Sequence, residues 1–197
     1  MNGYAILGWG SLIWDLDDLA PQVRGGWAIG AGPALALEFT RVSPKRNGAL
    51  VVCLDAVQGV GCATSAIASV RDGIGAAVTD LARRERAPEA RIGAVCLASG
   101  HTSGTIPEVV EEVRRWCLAG GWAGAVWTGL ASNFEDHLGE AFSVPRAIGY
   151  LRALGGDSLD QAVRDIGQAP AATDTPLRRA LAADGWWRGE ARRLGLR

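Results

Sequence analysis

The sequence predicts an α+β protein in which mixed strands come first and a helical segment follows. Three observations carry this reading. Short apolar runs bounded by glycine or polar residues recur as far as Trp127, as strands do. Two stretches with apolar residues at spacings of three and four interrupt them, as helices do. From residue 143 onward the strand-like runs cease, and helix-capping residues open one segment after another.

Taken in order, Tyr4 to Leu7 is a buried strand leading into a glycine-rich turn. Asp15 to Gly32 is a long connection with Pro21 in it. Leu35 to Val42, Leu50 to Asp55 and Cys62 to Val70 read as three further strands. Their alternation is imperfect, which fits strands covered on both faces. Asp72 is the expected N-cap of a helix from Gly73 to about Arg86, which Pro88 helps to end. Ile92 to Ala98 is a strand, and Ser99 to Thr105 a loop. A second helix opens at Thr105-Ile106-Pro107-Glu108 and stops at Gly120-Gly121. Ala123 to Trp127 is the last strand, and Thr128 to Phe142 is irregular. Ser143, Asp157 or Ser158, and Thr175-Pro176 are the expected starts of three more helices. The expected division is a domain at 1–130 and a helical C-terminal extension at 143–197 packed on it.

Composition narrows the function classes. The chain has 197 residues, 48% of them hydrophobic and 21% charged, enough to bury a sizeable core. The net charge is −1, and no basic run points to nucleic acid. Lys45 is the only lysine, which reads as codon bias. No stretch of eighteen apolar residues predicts a membrane span, and the N-terminus lacks a secretory leader pattern. Cys53, Cys62, Cys96 and Cys117 form no C-x-x-C pair and sit in apolar or amphipathic runs. Buried free thiols in a reduced, cytoplasmic protein are expected, although Cys53 and Cys62 have the spacing to face each other across a hairpin.

Two stretches carry candidate chemistry. In Gly8-Trp9-Gly10-Ser11-Leu12, the glycines allow unusual backbone angles and close approach of a ligand. Successive N–H groups there can form an anion cradle, Ser11 adds a hydroxyl, and Trp9 and Trp14 offer flat apolar walls. The same residues also suit a tight strand exit with two core tryptophans. In the first helix Ile74, Val78 and Leu81 form an apolar stripe, and the next position of that stripe is Glu85. A carboxylate where the pattern reserves an apolar side chain is a candidate general acid–base. The alternative is a helix-end glutamate paired with Arg84 or Arg91.

Gly8-Trp9-Gly10-Ser11-Leu12-Ile13-Trp14 resembles the Gly-Tyr-Gly-Ser-Leu signature of the gamma-glutamylcyclotransferase-like superfamily. The Ile-Trp that follows is similar to its ChaC-type branch. Leu81-Ala82-Arg83-Arg84-Glu85 resembles the family's Tyr-Leu-x-x-Arg-Glu segment, whose glutamate is catalytic. Trp9 and Asp80 stand where the family has tyrosines. The resemblance implies a small twisted, barrel-like mixed sheet with flanking helices over the first 130 or so residues. It implies release of an amine or peptide from a gamma-glutamyl amide with formation of 5-oxoproline, without metal or cofactor. Glu85 would be catalytic, and Gly8, Trp9, Gly10, Ser11, Leu12 and Arg41 would bind substrate. The expected partner is a small gamma-glutamyl molecule, and the expected state is a monomer or homodimer. A small-acid binding module, or an acyl- or amide-processing enzyme on the same fold, is the alternative.

Secondary candidates are Ser65 and Ser69, in the strand before the first helix. His101 and His137 form no recognisable metal set, and no Gly-x-Ser-x-Gly elbow is present. Trp122, Trp127, Trp186 and Trp187 read as packing residues.

Overall fold

The computed structural model describes residues 2–196. The chain is α+β and divides into two compact units that are discontinuous in sequence. The first comprises the residues up to Leu35 together with Ala63–Leu130. The second comprises Ala36–Cys62 together with the residues from Ala131 on. Residues 36–62, expected within the N-terminal domain, thus belong with the C-terminal helices.

The first unit is built on a six-stranded sheet. Its strands are β1 (Asn2–Gly8), β2 (Val23–Ala28), β6 (Ser65–Ser69), β7 (Ile92–Cys96), β8 (Thr102–Ser103) and β9 (Trp122–Thr128), in the order β2-β6-β1-β9-β7-β8. The apolar run of β1 lies mid-sheet, antiparallel to β6 and parallel to β9, with Ile6 opposite both Ile67 and Val126. Burial on both faces accounts for the unbroken run Ala5-Ile6-Leu7. Helix α1 (Ile74–Glu85) sets Ala77 and Leu81 against Ile6, Ile67, Ile92, Ala94 and Val126. Helix α2 (Pro107–Gly120) packs on β9 and β7 and ends on Gly121 in the left-handed conformation. Trp127 is buried over its cross-strand partner Gly93, where a Cβ would come within 2.1 Å of the indole.

The second unit has its own three-stranded sheet, β4-β3-β5, formed by β3 (Ala34–Ser43), β4 (Ala49–Leu54) and β5 (Val60–Ala63). Five helices follow: α3 (Phe134–Leu138), α4 (Val144–Ala153), α5 (Gly156–Gln168), α6 (Pro176–Ala183) and α7 (Gly185–Arg193). Phe39, Val42, Ala49 and Leu50 from the strands form one core with Phe134, Leu151, Val163, Ile166, Leu177, Leu181 and Trp187 from the helices. Asn133 acts as a short piece of strand. Its amide accepts from the Val42 N–H at 2.7 Å and donates to the Val42 carbonyl at 3.0 Å.

Several expectations change. The strands form two open sheets, with no closed barrel among the described residues. The run Cys62 to Val70 is two strands, β5 and β6, one in each sheet. The long connection 15–32 contains a 3-10 helix, Asp17–Gln22, and strand β2. Gly73 rather than Asp72 is the N-cap of α1, and Gly155 rather than Asp157 or Ser158 that of α5. Ser143 and Thr175 do cap their helices, accepting from the N–H groups of Arg146 and Arg178. All four cysteines are buried and free. Cys53 and Cys62 lie on β4 and β5, which have β3 between them, so they face no common hairpin. Burial pushes the Cys53 thiol up to about 11 and the Cys117 thiol up to about 12.

Candidate functional site: the glycine loop and the end of the first helix

The glycine loop leaves the C-terminal end of β1, a central strand of the first unit, and turns into a one-turn 3-10 helix, Ser11–Ile13. The N–H groups of Ile13, Trp14 and Asp15 are spent on the Gly10 and Ser11 carbonyls. Those of Ser11 and Leu12, at the start of the turn, have no acceptor within it. Gly8 and Gly10 do not use the left-handed region. Gly8 is glycine for lack of space: a Cβ there would come within 2.8 Å of the Trp27 ring. Trp9 is buried, 6% exposed, and Leu12 belongs to the core with Ile6 and Leu81. Ser11 is half-buried and Trp14 is exposed.

The end of α1 approaches this segment through an arginine. Arg84, 2% exposed, donates from Nε to the Asp15 carbonyl at 3.0 Å and from a terminal nitrogen to the same oxygen. That nitrogen also lies 3.4 Å from the Asp15 carboxylate. Arg84 thereby fixes the exit of the glycine loop to the last turn of α1. Glu85 follows it, with its side chain 18% exposed and its carboxylate 3.9 Å from the Arg84 guanidinium. Glu85 therefore stands on the flank of the buried face, not at its centre. The centre runs through Ala77, Leu81 and Arg84, and Ile74 and Val78 are only half-buried. A residue's advance of about 100° from Arg84 carries Glu85 to the side.

Asp80, where the resembling family has tyrosine, is buried and bound in a two-pronged pair by Arg71, at 2.6 and 3.0 Å. The Arg71 guanidinium is held above its usual range by that carboxylate. The pair joins the segment after β6 to the middle of α1. Ser69, near it, accepts from the Arg71 N–H, and Ser65 accepts from the Gly30 N–H. Both hydroxyls thus have structural partners.

Gly8, Trp9, Gly10, Ser11, Leu12 and Glu85 all belong to the first unit, the loop at the end of β1 and Glu85 in the last turn of α1, and a hydrogen-bonded link between the two segments runs from Arg84 to Asp15. Arg41 belongs to the second unit, where its guanidinium donates to the Ala131 carbonyl at 2.7 Å. His101 and His137 are both exposed, and no group of acids, cysteines and histidines suited to a metal occurs among the described residues. The sequence names Arg84 as a partner for Glu85 but does not announce its burial or its hold on Asp15. The signal of that burial was the three-residue step from Leu81, hidden because Ala77 weighs little in an apolar stripe.

The second unit holds the most deeply buried carboxylate, which the sequence reading passed over. Glu38 is fully buried on β3 and accepts from the N–H groups of Phe39, at 2.7 Å, and Leu177, at 3.2 Å. Leu177 is in the first turn of α6, so the carboxylate sits at a helix N-terminus. Burial nevertheless outweighs the Thr175 hydroxyl and these two backbone donors and raises the Glu38 carboxyl above the usual range. No protein-family model, no curated protein and no solved structure matches this chain.

Proposed function

We propose that the chain is a gamma-glutamylcyclotransferase-like enzyme, acting on a gamma-glutamyl amide without a metal or cofactor. The observation that supports it is the Arg84–Asp15 clasp, which ties the exit of the Gly8–Leu12 loop to the helix turn carrying Glu85. The two stretches that resemble the family are thus held in one unit by a buried cation, not merely ordered along the chain.

In this reading the substrate's α-amine gives a proton to Glu85 and attacks its own γ-carbonyl carbon. The new C–N bond closes the 5-oxoproline ring, and the original amide C–N bond breaks. Glu85 returns the proton to the departing nitrogen, so the carboxylate is regenerated. Backbone N–H groups of the loop face the oxygen that gains charge. Holding amine and carbonyl in contact supplies much of the acceleration. The Arg84–Glu85 ion pair, though long at 3.9 Å, favours one competing reading, in which Glu85 is only a counterion to Arg84 and the loop belongs to a small-acid binding module.

Glu85→Gln separates the two. It keeps the side chain's shape and removes proton transfer. Release of 5-oxoproline from a panel of gamma-glutamyl amines, gamma-glutamyl amino acids and glutathione is expected to fall about 100-fold or more. Stability is expected to change by no more than about 1 kcal/mol, because the contact is long and Arg84 retains Asp15. Turnover that survives in the variant, or an absence of 5-oxoproline from the whole panel with the native protein, defeats the proposal.

A further inference from the structure

We infer that a cleft among α5, α6 and α7 binds a small organic acid, a carboxylate carried on an apolar body. The cleft lies in the second unit and stands independently of the cyclotransferase reading. It encloses about 390 Å³, within the range of small-molecule sites. Its apolar lining includes Ile166, Trp187 and Leu196, and its polar lining is cationic: Arg178, Arg188 and Arg192. No carboxylate side chain lines it among the described residues.

The acids near these cations form ion pairs with other arginines. Asp160 and Glu190 are engaged by Arg193, and Asp184 by Arg152. Among the described residues the Arg178 guanidinium donates to backbone carbonyls, those of Ala169, Pro170 and Thr173, and the nearby Asp174 carboxylate is paired with Arg179. Arg188 meets the carbonyls of Ala182 and Ala183 at the end of α6, using one of its terminal nitrogens and leaving others of its five N–H donors. Arg188 and Arg192 are four residues apart on α7 and so rise from one face of the helix. Three like charges around an apolar floor repel one another unless an anion joins them. A carboxylate fits the forked donors of arginine, and an apolar body gains by covering the floor. Leu196 reaches across to Gly167, with its side-chain tip 2.9 Å from where a Cβ would stand.

The test is calorimetric titration of the full chain with octanoate, with acetate as the charge without the body and 1-octanol as the body without the charge. Octanoate is expected to bind at one site and at least tenfold more tightly than either control. The double variant Arg188→Gln/Arg192→Gln should weaken octanoate at least tenfold and leave octanol unchanged. Ala182→Trp, at an exposed lining position, should block octanoate by filling the cleft, and it keeps the test decisive if the double variant does not fold. Octanol binding as tightly as octanoate overturns the inference. So does octanoate binding that is unchanged in both variants, or absent at millimolar concentration.

Discussion

Glu38 and Glu85 show how a single carboxylate takes its properties from the groups around it. Glu38 is sealed in the second unit, and burial raises its carboxyl above the usual range despite two backbone donors. The unfolded chain, with its carboxyl near about 4.3, loses this proton first as pH rises. Glu38 therefore costs stability progressively from about pH 4.3 up to its folded value, and by a constant amount above it. Glu38→Gln removes that titration but leaves one backbone donor facing an amide N–H. The variant is expected to be less stable at low pH and to recover relative to the native protein as pH climbs through the window. Urea melts of both proteins from pH 4 to 8 measure it, and a constant difference across that range would refute the assignment. Neither the role of this residue nor the buried link from Arg84 to Asp15 was legible in the sequence. Glu38 lies in an apolar strand with no spacing to mark it, because its donors come from its own neighbour and from a helix almost 140 residues on. The glycine loop and Glu85 were legible because both lie in short contiguous stretches.

At the scale of elements, helix ends are where local chemistry decides. Helix α1 closes on Arg86 with φ of 52°, a left-handed conformation that an L side chain resists. Its contact with Asp17 is long, at 4.0 Å, and largely exposed. Arg86→Gly and Arg86→Ala both lose that contact, but only alanine keeps the Cβ. The glycine variant is expected to be more stable than the alanine variant by about 1 kcal/mol, with denaturant midpoints as the measure. Equal midpoints would mean that the backbone relaxes there without cost. Most strands and helices could be read from apolar runs, Thr175-Pro176 and the Gly120-Gly121 stop, because those signals are local. Strand pairing could not. Thr64, buried between β5 and β6, binds the Pro33 carbonyl and marks the point where the chain changes sheets, yet nothing in Cys62 to Val70 announces a break. Helix α7 was missed because its apolar content is confined to Trp186, Trp187 and Ala191 among arginines and glycines.

At the scale of the whole molecule, the second unit joins residues 36–62 to the C-terminal helices, so neither segment completes a core alone. Ending the chain after Ala172 removes Leu177, Leu181 and Trp187 from that core and the α6 donor from Glu38. Losing even two buried leucines costs on the order of 4–10 kcal/mol, comparable with the whole stability of a domain. The truncated chain is expected to lose hydrogen-exchange protection in β3 and β4, while β1, β6 and β9 keep theirs. Retained protection in β3 and β4 would show that the N-terminal segment holds its shape without the helices. The same arrangement bears on how the protein is made. A ribosome delivers the chain from one end, and the partners of Phe39, Val42 and Leu50 emerge only in its last third. At about 5–20 residues per second, these strands wait on the order of ten seconds for their cover. The first unit, whose last residue is Leu130, has all its parts well before then. Nascent chains long enough for residue 130 to have left the ribosome therefore carry the complete first unit together with an apolar segment still without its cover, and it is to that segment that a chaperone would bind.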